Sequence, residues 1–175
     1  SALQRTTDTK RLIIGSGVVS RTAEMFMELF PGRTAVIVAD RNTWEVAGKA
    51  VQASLDAAGV PFVPAFVFAD PDLYAAWPYH LQLKEFLSGL DVVAIAVGSG
   101  VINDLTKYTS YTLGRKYMCV GTAASMDGYT AYGASITKDG NKQTFDCPAP
   151  YGFVMDPEIA ADAPKELAAS GYADL

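Results

Sequence analysis

Two short glycine loops stand where a chain could hold a phosphate: Gly15-Ser16-Gly17 and Gly98-Ser99-Gly100. Each follows an apolar run and opens a stretch with helical character. In that context main-chain N–H groups and a helix dipole can receive an anion. Neither completes a GxGxxG pattern, because the sixth positions are Ser20 and Asn103. A plain tight turn is the competing reading of both. The second loop has the stronger strand in front of it. No lysine-bearing P-loop pattern occurs, so a P-loop ATPase is not supported.

Asp40 follows the run Thr34–Ala39. An acid at the end of such a strand can hydrogen-bond the two hydroxyls of a ribose. It can equally cap a helix, and spacing alone favours the cap. Arg41 beside it could tolerate a 2′-phosphate, which leaves NAD against NADP open. The stretch Gly121-Thr122-Ala123-Ala124-Ser125-Met126-Asp127-Gly128-Tyr129 sets two hydroxyls and a carboxylate just past another short strand. Polar groups there can face a ligand crevice, or they can form an ordinary turn with an Asp-Gly bend.

The other reactive types read as packing. His80, the one histidine, lies at a helix start with no evident acidic partner, so any His-dependent triad rests on it alone. Cys119 falls in a buried strand and reads as core. Cys147 is a loop thiol without an activator. Two cysteines make neither a disulfide framework nor a zinc-ligand pair. Lys107, one turn on from Asn103, reads as a solvated helix charge.

The elements that position these residues alternate. Strands are expected at residues 12–14, 34–39, 91–97, 117–120 and 152–155, with helices between them at 20–30, up to Ala58, 79–90 and 101–113. Thr43 is the expected cap of the helix ending at Ala58. Val60 to Phe68 holds Pro61 and Pro64, which confines it to a short or edge strand. Residues 122–152 are loop-rich, with a hairpin expected at Asp139-Gly140. This spacing predicts an α/β fold, a Rossmann-like parallel sheet with helices on both faces. Ligands of such sheets sit at the carboxyl ends of the strands. Near Asp156 the texture turns Ala-rich and helical. The expected division is therefore 1–155 as a nucleotide-binding α/β domain and 156–175 as the start of a helical domain.

Composition agrees. The 175 residues are 50% hydrophobic and 19% charged, with a net charge of −5. An acidic chain without a basic stripe is a poor nucleic-acid binder. The longest wholly apolar run, Val92 to Val97, is far below the roughly 18 residues of a membrane span. No signal-peptide layout opens the chain, and a cytoplasmic protein with reduced thiols is the expectation.

Gly98-Ser99-Gly100-Val101-Ile102-Asn103-Asp104-Leu105-Thr106-Lys107, followed by Thr122 to Gly128, resembles the sn-glycerol-1-phosphate dehydrogenase family. That family belongs with glycerol dehydrogenase, iron-containing alcohol dehydrogenases and 3-dehydroquinate synthase. The tail from Ala163 to Leu175 resembles the segment that carries the family's metal-binding aspartate. The likeness runs from about Leu12 to the end and corresponds to the N-terminal part of such a protein.

The resemblance implies an NAD(P)-dependent and metal-dependent enzyme that interconverts sn-glycerol 1-phosphate and dihydroxyacetone phosphate. It implies that Gly98, Ser99, Gly100, Val101, Ile102, Asn103 and Asp104 hold the pyrophosphate, although a carboxylate there is repulsive and a structural role is the equal alternative for Asp104. Thr122, Ala123, Ala124 and Ser125 would lie against the nicotinamide, and Asp40 against the adenosine ribose. Asp127 would contact substrate. Asp174 would bind a divalent metal, with zinc ahead of nickel or iron, and touch substrate too. Two departures stand out: Gly121 replaces a frequent proline, and Ala131 replaces a serine near the cofactor.

The partner expected is a small phosphorylated polyol, with no nucleic acid and no membrane; a homo-oligomer stays open. The sequence stops one residue after Asp174, where a helix bearing the first metal ligand would continue. The expectation is therefore a truncated helical domain and a fragment that is inactive by itself. Two alternatives remain. One is a glycerol dehydrogenase or 3-dehydroquinate synthase-like enzyme of the same fold. The other, should the native chain end at Leu175, is a non-catalytic nucleotide-binding module.

Overall fold

Strand β1 (Arg11–Ile14) is the first element of the described part of the protein, which in this computed structural model comprises residues 8–124 and 128–161. A 3-10 turn (Val18–Arg21) leads into helix α1 (Thr22–Leu29). Strand β2 (Ala35–Asp40) follows, then one helical turn (Arg41–Thr43), a π turn (Trp44–Gly48) and helix α2 (Lys49–Ala57). Next come β3 (Phe66–Phe68), α3 (Trp77–Ser88), β4 (Val93–Gly98), α4 (Gly100–Thr112) and β5 (Met118–Gly121). The hairpin β6 (Ala134–Lys138) and β7 (Asn141–Phe145) precedes β8 (Gly152–Met155) and the short α5 (Pro157–Ala161).

Six strands form one parallel sheet in the order β1-β8-β5-β4-β2-β3. Parallel strands need long crossovers, and the helices that make them cover both faces. Strand alternation divides the core accordingly. Ala35, Ile37 and Ala39 of β2 and Val93, Ile95 and Val97 of β4 pack with Met25 and Phe26 of α1 and Val51 and Leu55 of α2. Val36, Val38, Ala94 and Ala96 face the other way, onto Leu83 and Leu87 of α3 and Ile102 and Leu105 of α4. This two-sided burial is why β2 and β4 read as continuous apolar runs rather than alternating ones.

Chain order and spatial order disagree at one place that matters. From β2 the chain goes outward to the edge strand β3, then returns across β2 to β4. The sheet therefore changes winding direction between β2 and β4, and a crevice opens there at their carboxyl ends. The register pairs Val38 with Ala96, so Asp40 and Gly98, each two residues further on, end the two strands side by side.

Several expected boundaries shift. Helical geometry begins at Arg41 and its cap is Asp40, as spacing alone favoured, and not Thr43. Thr43 instead completes a reciprocal capping box: its N–H donates to Asp40 Oδ1 at 2.8 Å, and its hydroxyl accepts from the Asp40 N–H at 3.1 Å. Strand β3 is cut to three residues, since Pro61 and Pro64 have no N–H for a ladder. The hairpin turns at Asp139 and Gly140, both with positive φ (53° and 76°), as a tight two-residue connection requires. Among the described residues no helix is long and apolar enough to cross a membrane.

Candidate functional site

The crevice is built from three strand ends. Gly98 ends β4 and pairs with Gly121 at the end of β5. Just beyond, the Thr122 N–H donates to the Gly98 carbonyl at 3.1 Å, tying the two loops together. Asp40 supplies the third wall from β2. A Cβ on Gly98 would stand 2.6 Å from Cβ of Ile102, so a glycine is required for α4 to start this close to its strand.

Helix α4 presents its start to this crevice. Ser99 is the cap residue, with extended backbone (φ −82°, ψ −168°), and its side chain makes no cap bond. The first intrahelical bond runs from the Asn103 N–H to the Ser99 carbonyl at 3.0 Å. The N–H groups of Gly100, Val101 and Ile102 precede it and have no intrahelical partner by geometry. Among the described residues no side chain takes them. Thirteen residues of helix stand behind this end with their dipoles aligned. Such a donor set suits an anionic pyrophosphate.

The first glycine loop has a different fate. Asp156, far along the chain and buried, accepts the Gly17 N–H at Oδ2 (2.7 Å) and the Glu158 N–H at Oδ1 (2.9 Å). It caps α5 and fills the Gly15–Gly17 loop with an internal carboxylate. Ser16 adds a hydroxyl bond to Glu158 Oε1 at 2.7 Å. This loop is a closed structural turn.

Behind the crevice, α4 carries an unusual load of buried polar groups. Asn103 donates from Nδ2 to the Tyr129 carbonyl at 3.2 Å and accepts from the Tyr117 hydroxyl at 2.7 Å. Asp104 accepts the Ser135 N–H at 3.2 Å. It is the fifth residue of α4, so it lies beyond the first turn. Burial raises its carboxyl to about 6, against the pull of Lys107 and the Ser135 N–H. Lys107 is 1% exposed, which corrects the expectation of a solvated charge. Its ammonium donates to the carbonyls of Ala131 (2.8 Å) and Gly133 (3.0 Å). Burial lowers its pKa, opposed by Asp104.

The remaining site expectations fall as follows. Thr122 and Ala123 are buried and Ala124 is exposed. The Tyr129 hydroxyl donates to the Ala123 carbonyl at 2.6 Å and accepts its N–H at 3.3 Å. Ala131 is exposed on the far limb of that segment. Ser125 and Asp127 lie outside the described residues, and so does Asp174. Among the described residues no three His, Cys, Asp or Glu side chains gather as a metal site.

Sequence reasoning left Tyr117, Tyr129 and Asp156 without roles. The one available signal was polar crowding on α4: Asn103, Asp104, Thr106, Lys107, Thr109 and Ser110 leave no apolar stripe of ordinary width, so some of them had to be buried and paired. His80 is core. Its Nδ1 lies 2.8 Å from the Thr109 hydroxyl, and its ring packs against Trp77 and Tyr108. Cys119 and Cys147 are both buried, and burial raises the Cys147 thiol to about 12, far from a reactive thiolate.

A doubly wound parallel sheet with a free helix start at its switch point defines a Rossmann-like α/β domain. Comparison with known proteins then places it. The chain belongs to the iron-containing alcohol dehydrogenase family, whose family description matches residues 13–164. A protein of Halalkalibacterium halodurans named glycerol-1-phosphate dehydrogenase, NAD(P)+, is 34% identical over 142 residues, covering 79% of this chain and 35% of that protein. One of Methanothermobacter thermautotrophicus with the same name is 33% identical over 167 residues, covering 95% and 46%. The chain thus spans less than half the length of these relatives. In fold it is similar to a probable glycerol dehydrogenase from Sinorhizobium meliloti (TM-score 0.79, 18% identity, 95% of this chain and 44% of that one). It is also similar to an iron-containing alcohol dehydrogenase from Thermotoga maritima (TM-score 0.80, 15% identity, 95% and 51%).

Proposed function

We propose that this chain is the cofactor-binding part of an NAD(P)-dependent dehydrogenase that interconverts sn-glycerol 1-phosphate and dihydroxyacetone phosphate. The observation that carries the reading is the start of α4: free N–H donors, at the switch point, beside the Asp40 carboxylate and the Thr122 loop. The names of the curated relatives support the choice of substrate.

In this reading the main chain from Gly98 to Ile102 receives the pyrophosphate. Asn103 and Asp104 support that turn from behind through Tyr117, Tyr129 and Ser135. Asp40 meets the adenosine ribose through Oδ2, while Oδ1 keeps its bond to the Thr43 N–H. Thr122, Ala123, Ala124 and Ser125 border the nicotinamide, and Asp127 contacts the polyol phosphate. The bound dinucleotide supplies the hydride chemistry; the protein supplies placement. Asp174 contributes one ligand to a divalent metal, with zinc as the first candidate. The whole protein works in the cytoplasm.

Titrating NAD(H) and NADP(H) against the wild type and a Gly100→Val variant tests the reading. The branched side chain at the first helical residue should weaken binding by at least tenfold, about 1.4 kcal/mol. Equal binding by the two proteins would remove the glycine loop from the cofactor site.

A further inference from the structure

Lys107 stands out among groups that the proposed chemistry does not use. A buried ammonium is costly unless it is fully hydrogen-bonded. This one is spent on two main-chain carbonyls, Ala131 at 2.8 Å and Gly133 at 3.0 Å. Among the described residues no carboxylate lies within ion-pair distance of it.

The two carbonyls belong to the limb that returns from the Thr122–Gly128 stretch. That limb is held at several points, and three of those bonds come from α4 side chains. Its start is tied to the glycine loop through the Thr122 N–H and the Gly98 carbonyl. The Tyr129 hydroxyl donates to the Ala123 carbonyl, and the Tyr129 carbonyl is held by Asn103. The end of the limb is pinned at Gly133 from two sides: the Gly133 N–H donates to the Cys147 carbonyl at 2.7 Å, and its carbonyl accepts from Lys107. Gly133 has φ +93°, a conformation that lets the chain turn between those partners. Asn103 and Lys107 are four apart, so they project from one face of α4, a turn apart.

We propose that Lys107 is a positioning residue: it fixes residues 128–133, the limb that returns from the substrate side, to the same helix whose first turn holds the cofactor. This rests on the functional reading given above. One rigid element then sets both halves of the site. The pyrophosphate is placed by the main chain at the start of α4, and the limb that returns from the substrate side by its side chains Asn103 and Lys107, one and two turns on. Hydride transfer depends on the relative placement of those halves, and displacements of about 1 Å can cost on the order of 100-fold in rate.

The test compares the complete gene product with its Lys107→Met and Lys107→Gln variants. Measured are dinucleotide affinity, kcat and KM for glycerol 1-phosphate, the melting temperature, and amide hydrogen exchange over residues 128–135. Lys107→Met should lose about 100-fold in kcat/KM for the polyol phosphate, mainly in kcat. Its dinucleotide affinity should equal that of wild type, and exchange over residues 128–135 should be faster. Lys107→Gln, which keeps one amide donor, should recover part of kcat, and it alone decides on the same readouts if the Met variant does not fold.

A loss of turnover that tracks only the folded fraction, or that falls in step with dinucleotide affinity, would mean a merely structural role and overturn the proposal. Wild-type kcat/KM in both variants would do the same. Failure of the wild type to bind dinucleotide would overturn the functional reading itself, and is recognised before any variant is measured.

Discussion

Gly98→Ala is the smallest change that separates the packing of this site from its chemistry. The added Cβ would lie 2.6 Å from Cβ of Ile102 and 2.7 Å from its Cγ1. Carbon atoms in good contact sit about 3.5–4.0 Å apart. The start of α4 must therefore retreat by about 1 Å, because Cβ of Ile102 is fixed to the helix backbone and has no rotamer that evades the clash. Overpacking of this kind costs about 1–3 kcal/mol. The retreat carries the N–H groups of Gly100, Val101 and Ile102 with it, so cofactor binding should fall along with stability.

Gly152→Ala is the matched control. Its Cβ would meet Cδ1 of Leu29 at 2.6 Å and Sδ of Met25 at 2.7 Å, the same nominal overlap. Those atoms are the far ends of flexible side chains and can swing aside. Urea unfolding and dinucleotide titration of both variants give the comparison. Gly98→Ala should lose both stability and binding, while Gly152→Ala should lose less stability and keep binding. Adding Ile102→Ala should not rescue Gly98→Ala, since the contact at 2.6 Å is with Cβ, which alanine retains. Full rescue, or equal losses in the two glycine variants, would refute the reasoning.

Two further outcomes are expected. His80 is held neutral by burial, with its pKa lowered to about 4 from 6.5. Its contribution is therefore present above pH 6.5 and lost as pH falls towards 4, by at most about 3 kcal/mol; a His80→Gln variant should show a flatter urea midpoint across that window, and parallel curves would contradict it. Asp156→Ala leaves the Gly17 and Glu158 N–H groups without their acceptor, which should cost about 2 kcal/mol; urea unfolding measures it, and Asp156→Asn should recover part of the loss.

The sheet was legible because its evidence is local and repeated. The run from Val92 to Val97 is continuous and apolar because both its faces are covered, and Asp139-Gly140 marks its own turn through two positive φ angles. The candidate site was legible only where a local pattern coincided with a strand end, as at Gly98 to Gly100. Lys107 was misread because a lysine on a helix is ordinarily solvated. Its partners are backbone carbonyls of a segment some 25 residues on, and carbonyls leave no mark in a sequence. Asp40 and Thr43 were both legible as caps, but not their order. In a reciprocal box both residues are cap formers, and only the backbone angles tell which comes first.

The two glycine loops show why a local motif underdetermines a site. Both follow a parallel strand and both turn into helical backbone, so the local prior for phosphate binding is the same. What separates them is whether something inside the protein already satisfies their N–H groups. At Gly17 the carboxylate of Asp156 does so, 139 residues away. An internal anion at a helix start and a bound external one are competing solutions to the same electrostatic problem. Of the two glycine loops, the plugged one at the sheet edge offers no free N–H at Gly17, and the open one at the switch point is the one proposed to receive a dinucleotide. An Asp156→Ala variant sharpens this: if opening the first loop creates no second dinucleotide site, location at the switch point, and not glycine content, is what selects Gly98 to Gly100.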